Sequence, residues 1–206
     1  QEEPPFKDFV VRQVFLNPFI WFVSFANFFV YTVRYAFLDW GPTLLKEMRG
    51  CELSHTGWIV ASYEVAGLVG MLLTGWLTDR LFGGRAARAC VVSMILCTGC
   101  VFVFWKMGTS SPLANVAVLA ALGFLIYGPQ CLVGVIAANL ATRRAAATAI
   151  GVTGLLGYMS GILSGWGLGV TVKHFGWNPV FQILIAAGLI AAALFALCWN
   201  VPSRPR

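Results

Sequence analysis

Long apolar runs dominate the chain, broken at intervals by glycine, proline and charge. They cover about 18–39, 57–78, 88–107, 113–140, 145–170 and 178–200. Runs of roughly 20 to 28 residues suit tilted helices crossing a bilayer. The breaks are Trp40-Gly41-Pro42 leading to Lys46-Glu47, Asp79-Arg80, Gly108 to Pro112, Arg143-Arg144, and Phe175-Gly176-Trp177-Asn178-Pro179. A backbone polar group facing lipid finds no water to bond, so only helices or a closed barrel cross. The runs lack period-two alternation, and that selects helices. The pattern predicts an all-α membrane protein: a linker over 1–17, six transmembrane helices over 18–200 and a tail over 201–206.

Composition agrees. Of 206 residues, 59% are hydrophobic and 11% charged, whereas a soluble domain carries about 25% charge. With a mean hydropathy of +0.79, a soluble enzyme, a disordered segment and a disulfide-rich scaffold are all excluded. The net charge of +6 does not imply nucleic acid, because Lys and Arg cluster between apolar runs and form no continuous stripe. Cys97-Thr98-Gly99-Cys100 matches C-x-x-C, but no second pair or nearby His completes a site. No metal or cofactor is therefore expected, and the cysteines within apolar runs read as small hydrophobes. Gln1-Glu2-Glu3-Pro4-Pro5 reads as a linker, so the chain reads as a fragment.

Charge placement sets orientation. With six spans both termini share a side, and Lys7, Arg12, Arg80, Arg85, Arg88, Arg143, Arg144, Arg204 and Arg206 lie there. Only Lys46, Arg49, Lys106 and Lys173 lie opposite. Positive charge is retained in the cytoplasm, so both termini are expected there.

Arg34 and Glu64 are the ionisable side chains well inside the runs. Each costs at least ~2.5 kcal/mol to insert, so each faces a partner or a cavity. Trp40 and Trp58 suit the outer interface, and each charge stands six residues from one of them. Both then lie about 9 Å below that interface. Two readings follow: an ion pair holding the first two helices together, or an anion site in a central cavity. Asn27, Tyr31, Arg34, Tyr35 and Leu38 share one helix face by their spacing. Guanidinium offers bidentate donors and Tyr adds hydrogen bonds without charge, which suits phosphate or carboxylate.

In the fourth span, Tyr127-Gly128-Pro129-Gln130 predicts a kink. The fifth carries Gly157, Gly161 and Gly165, a small-residue ridge for close packing, with Tyr158 free to face the cavity. Asp79 ends the second span, where the helix dipole disfavours an anion. Arg85, Arg88 or a neighbouring helix N-terminus is expected to compensate it, in a cluster suited to a conformational latch. The Ser of Leu163-Ser164-Gly165 has neither His55 nor His174 nearby, so catalysis is not expected.

Gly75, Asp79-Arg80 and Gly84-Arg85 together resemble the loop between the second and third helices of a major facilitator half. More narrowly, Val30-Tyr31-Thr32-Val33-Arg34-Tyr35-Ala36-Phe37-Leu38-Asp39-Trp40-Gly41-Pro42-Thr43 resembles the seventh helix of the organophosphate:phosphate antiporters. Tyr63-Glu64-Val65-Ala66-Gly67, Gly123-Phe124-Leu125-Ile126-Tyr127-Gly128-Pro129-Gln130 and Thr153-Gly154-Leu155-Leu156-Gly157-Tyr158 are similar to later segments of that family. The resemblance runs in order over nearly the whole chain and matches the C-terminal half of a twelve-helix protein.

That resemblance implies six helices in a 3+3 inverted repeat, an N-terminal six-helix half as partner, and a bacterial inner membrane location. It implies alternating-access exchange of an organic phosphate for inorganic phosphate. Arg34 matches the family's phosphate-binding Arg of this half, while Asn27, Tyr31, Tyr35, Glu64, Tyr127 and Tyr158 would line or brace the cavity. Asp79, Arg80 and Arg85 would form the conformational loop. Hexose-phosphate transporters of the family carry Asp and Lys where this chain has Gly161 and Ser164, a departure that leaves the substrate open. A transporter-fold sensor that signals to a membrane kinase remains the alternative.

Overall fold

The computed structural model describes residues 6–50, 53–108 and 111–201, and these are helical almost throughout. A short helix, α1 (Phe6–Val10), widens into a π-helical turn at Val11–Phe15. The membrane helices follow as α2 (Pro18–Arg49), α3 (Leu53–Leu81), α4 (Ala86–Met107) and α5 (Pro112–Leu140). Then α6 (Ala146–Ile162) passes through a second π turn, Leu163–Gly167, into α7 (Leu168–Phe175), and α8 (Trp177–Leu197) closes the bundle. With α6 and α7 forming one span, six stretches are long and apolar enough to cross a membrane.

Local chemistry sets several ends. The Asn17 side chain accepts the Phe19 N–H at 3.1 Å, and Pro18 occupies the first turn of α2, where its missing donor costs nothing. Gly50 ends α2 in the left-handed region at φ 63°, a conformation that only glycine adopts cheaply.

Two stretches differ from the sequence pattern. Trp40-Gly41-Pro42 reads as a break, yet α2 continues through it to Arg49. Pro42 removes one backbone donor, but tertiary contacts hold the helix on both sides. The Trp40 indole donates to the Ser164 carbonyl at 3.0 Å, and the Trp177 indole donates to the Glu47 carboxylate at 2.9 Å. Arg49 is buried and donates to the Phe104 carbonyl. Secondly, residues 6–15 of the expected linker are helical. Val10 and Val14, four residues apart, bury with Ile20 against Ala137, Ala141, Ala145 and Ala149 at the α5–α6 corner. The first five residues and the tail from 202 lie outside the described residues.

The packing has a twofold pattern. As α3 lies on α5, α6 lies on α2; as α4 lies on α5, α8 lies on α2; and α4 pairs with α8. Exchanging the triplet α2–α3–α4 with α5–α6/α7–α8 reproduces the arrangement, as a 3+3 repeat requires. Within lipid, burial adds little between helices, so close packing of small residues must hold them. The α3–α5 seam shows this most clearly. A Cβ at Gly70 would overlap the Phe124 carbonyl oxygen, and one at Gly123 would overlap that of Tyr63.

Candidate substrate-binding site

Arg34 projects from α2 toward the α3–α5 seam, and its side chain is 16% exposed. Its Nη2 donates to the Tyr127 hydroxyl at 2.8 Å, and that hydroxyl donates to Glu64 Oε2. The direct separation from Arg34 Nη2 to Glu64 Oε1 is 3.8 Å. Arg34 and Glu64 are thus brought together, as the equal-depth argument expects, but a phenol bridges them. Tyr127 is seated by α3: a Cβ at Gly67 would come within 2.5 Å of its ring, so only glycine leaves the space.

Aromatic faces enclose the guanidinium. Its central carbon is 4.9 Å from the Tyr127 ring centroid, 5.7 Å from that of Tyr35 and 5.9 Å from that of Tyr31. Such faces attract a cation without consuming its N–H donors. Arg34 Nε and Glu64 Oε1 are buried and have no hydrogen-bond partner. The arrangement therefore holds a positively charged fork in place with donor capacity to spare, which fits an incoming oxyanion.

The remaining residues of the α2 face sit around it. The Tyr31 ring packs edge-to-face on Tyr35 and on Tyr158, each at 5.5 Å between centroids. Tyr158 is 65% exposed, so it lies at the open side of the cluster. Asn27 plays a different part: its Nδ2 donates to the Thr153 carbonyl at 2.9 Å, tying α2 to α6. Gly157 makes room for that amide, since a Cβ there would meet Asn27 Nδ2 at 2.5 Å.

The glycine ridge of the fifth span is only partly a packing surface. Gly157 is in close contact, Gly161 would reach Tyr35 only at 3.8 Å, and a Cβ at Gly165 would meet nothing. Asp79, Arg80 and Arg85 do not join the cluster. Asp79 stands about 22 Å along α3 from Glu64. The Arg80 guanidinium lies 5.9 Å over the Trp76 ring, and Arg85 precedes α4. Arg88, an expected partner of Asp79, donates from Nε to the Trp199 carbonyl at 3.3 Å.

Three neighbours were not singled out as site residues. Gln130 Nε2 donates to the Tyr31 hydroxyl at 3.3 Å; its spacing of three from Tyr127 put it on the same face. Tyr63 is buried against Tyr127, with ring centroids 6.1 Å apart, and its signal was adjacency to Glu64. Trp40 binds the carbonyl of Ser164 inside the π turn, a contact without local sequence signature. No cluster that would hold a metal occurs among the described residues.

The glycerol-3-phosphate transporter of Bacillus subtilis (strain 168) is 40% identical over 99% of this chain and 46% of its own length. A probable hexose phosphate transport protein of Chlamydia trachomatis serovar D is 36% identical over 94% of this chain and 43% of its own. The membrane sensor protein UhpC of Escherichia coli (strain K12) is 33% identical over 91% and 43%. The chain thus spans less than half the length of the curated relatives it matches. The solved bacterial homolog of the human lysosomal transporter Spinster, inward-facing and unoccupied, shares the fold. Its TM-score is 0.59 at 18% identity, covering 98% of this chain and 52% of that one. The Major Facilitator Superfamily model matches residues 1–165. This multi-pass membrane chain belongs to the major facilitator superfamily.

Proposed function

We propose that the chain is the C-terminal-type half of a carrier that moves a phosphorylated organic metabolite in exchange for inorganic phosphate. The observation that carries this reading is Arg34, held by Tyr127 and three aromatic faces with its Nε unpartnered. Relatives named as glycerol-3-phosphate and hexose phosphate transporters support the substrate class. A dianionic phosphate takes the guanidinium donors that Tyr127 leaves free, Nε among them, and offsets the charge that opposes closure. The two halves of the carrier then rock about the bound anion, and exchange follows because the empty site closes poorly. A second six-helix half supplies the other wall, in a bacterial inner membrane with both termini of this chain cytoplasmic. The asymmetric placement of Lys and Arg supports that orientation.

A sensor of extracellular sugar phosphate is the second reading, favoured by the similarity to a membrane sensor protein. Flux separates the two. Proteoliposomes of the intact protein loaded with phosphate should take up labelled glycerol 3-phosphate or glucose 6-phosphate in exchange. Binding without flux would favour the sensor; neither binding nor flux would remove both readings.

A further inference from the structure

Gln130 has a feature that the anion site does not use. Its Nε2 is spent on the Tyr31 hydroxyl, while its Oε1 is buried and has no partner. A buried amide oxygen left unbonded is costly, so such an atom calls for a ligand or water. Its position points to a ligand. Gln130 lies three residues beyond Tyr127, or about 4.5 Å along α5. Tyr31, which orients the amide, is likewise three residues from Arg34 on α2 and packs against Tyr35 and Tyr158. Both Gln130 and Tyr31 are thus offset by one helical step from the Tyr127–Arg34 contact, a step on the scale of the spacing between a phosphate group and a hydroxyl on a neighbouring carbon of its ester.

The chemistry is selective. A neutral carbonyl oxygen accepts from a hydroxyl and adds no charge to repel the phosphate beside it. Across the cluster, neither Gly161 of α6 nor Ser164 of the π turn is charged, so ionic recognition of the organic part is not built there. An alkyl group placed against Gln130 would leave the amide unpaired, and that penalty is how a polar site rejects an apolar analogue.

We propose that Gln130 is a specificity-determining residue that reads a hydroxyl adjacent to the phosphate, selecting phosphate esters of polyols or sugars over alkyl phosphates. The proposal rests on the reading of Arg34 as the anion site.

The test is displacement of radiolabelled inorganic phosphate from the intact carrier by sn-glycerol 3-phosphate and by n-propyl phosphate. The two probes share the phosphate and differ in hydroxyls. The wild type should prefer glycerol 3-phosphate by at least about fivefold, the worth of one neutral hydrogen bond. Gln130→Met, similar in shape but without the amide, should bring that ratio close to one. Tyr31→Phe, which frees the amide from its orienting partner, should lower it less. A wild-type ratio of one overturns the proposal without any variant, since a resident water would then satisfy the amide. A ratio unchanged in Gln130→Met overturns it as well. If no probe displaces phosphate, or phosphate does not bind, the anion-site reading fails first and takes this one with it.

Discussion

The seams α3–α5 and α2–α6 occupy equivalent places in the repeat, yet they are built differently. Along α3–α5, Gly70 and Gly123 lie against backbone carbonyls of the facing helix, and Gly67 lies beneath the Tyr127 ring. Along α2–α6, Gly157 is tight against Asn27, a Cβ at Gly161 would reach Tyr35 only at 3.8 Å, and at the π turn buried Ser164, not the open Gly165, meets Trp40. The polar residues follow the same division. The rigid seam holds the Arg34–Tyr127–Glu64 chain, while the loose one is bridged by two side-chain bonds to backbone, from Asn27 and Trp40. Close backbone approach fixes the charged centre, whereas the α2–α6 wall is joined through side chains.

The largest effect is expected at Gly123. Gly123→Val places atoms against a carbonyl that cannot move aside, and should cost about 3 kcal/mol or more. Loss of folded protein and a lowered Tm in detergent would show it. Next is Tyr127→Phe, which removes the hydroxyl between two charges. Losing hydrogen bonds to charged groups costs ~1.5–3 kcal/mol, or about 10- to 150-fold in affinity for phosphate. An affinity within twofold of wild type would show that the bridge does not position Arg34.

On the loose side the effects should shrink. Trp40→Phe keeps the ring and loses the bond to the Ser164 carbonyl, for about 1 kcal/mol. Its specific sign is faster amide hydrogen exchange at 163–167 than at 146–160. The smallest effect belongs to Gly165→Ala, within about 0.5 kcal/mol of wild type. If it destabilised as strongly as Gly123→Val, the distinction between the seams would collapse.

Particular residues show what the sequence made legible. The six spans follow from composition and length alone, because lipid leaves the backbone so few alternatives. Arg34 and Glu64 follow from counting residues below Trp40 and Trp58, since equal depth on adjacent antiparallel helices permits contact. The Tyr127 bridge does not follow, because it depends on how closely α3 and α5 approach. That distance is set by Gly67, Gly70 and Gly123, which look no different in the sequence from Gly161 and Gly165. Pro42 misleads for a related reason: its local rule predicts an end, whereas Trp40, Glu47 and Arg49 hold the helix from outside. The π turn at Leu163–Gly167 is likewise invisible locally.

Arg34 is proposed to bind phosphate as an oriented fork rather than as a point charge. Equilibrium binding of radiolabelled inorganic phosphate to the intact protein and to Arg34→Lys tests it directly. Lysine keeps the charge but loses the planar pair of donors. Binding should be at least about tenfold weaker in the variant, from loss of a charge-assisted bond. Phosphate affinity equal to wild type in a folded Arg34→Lys protein would contradict it.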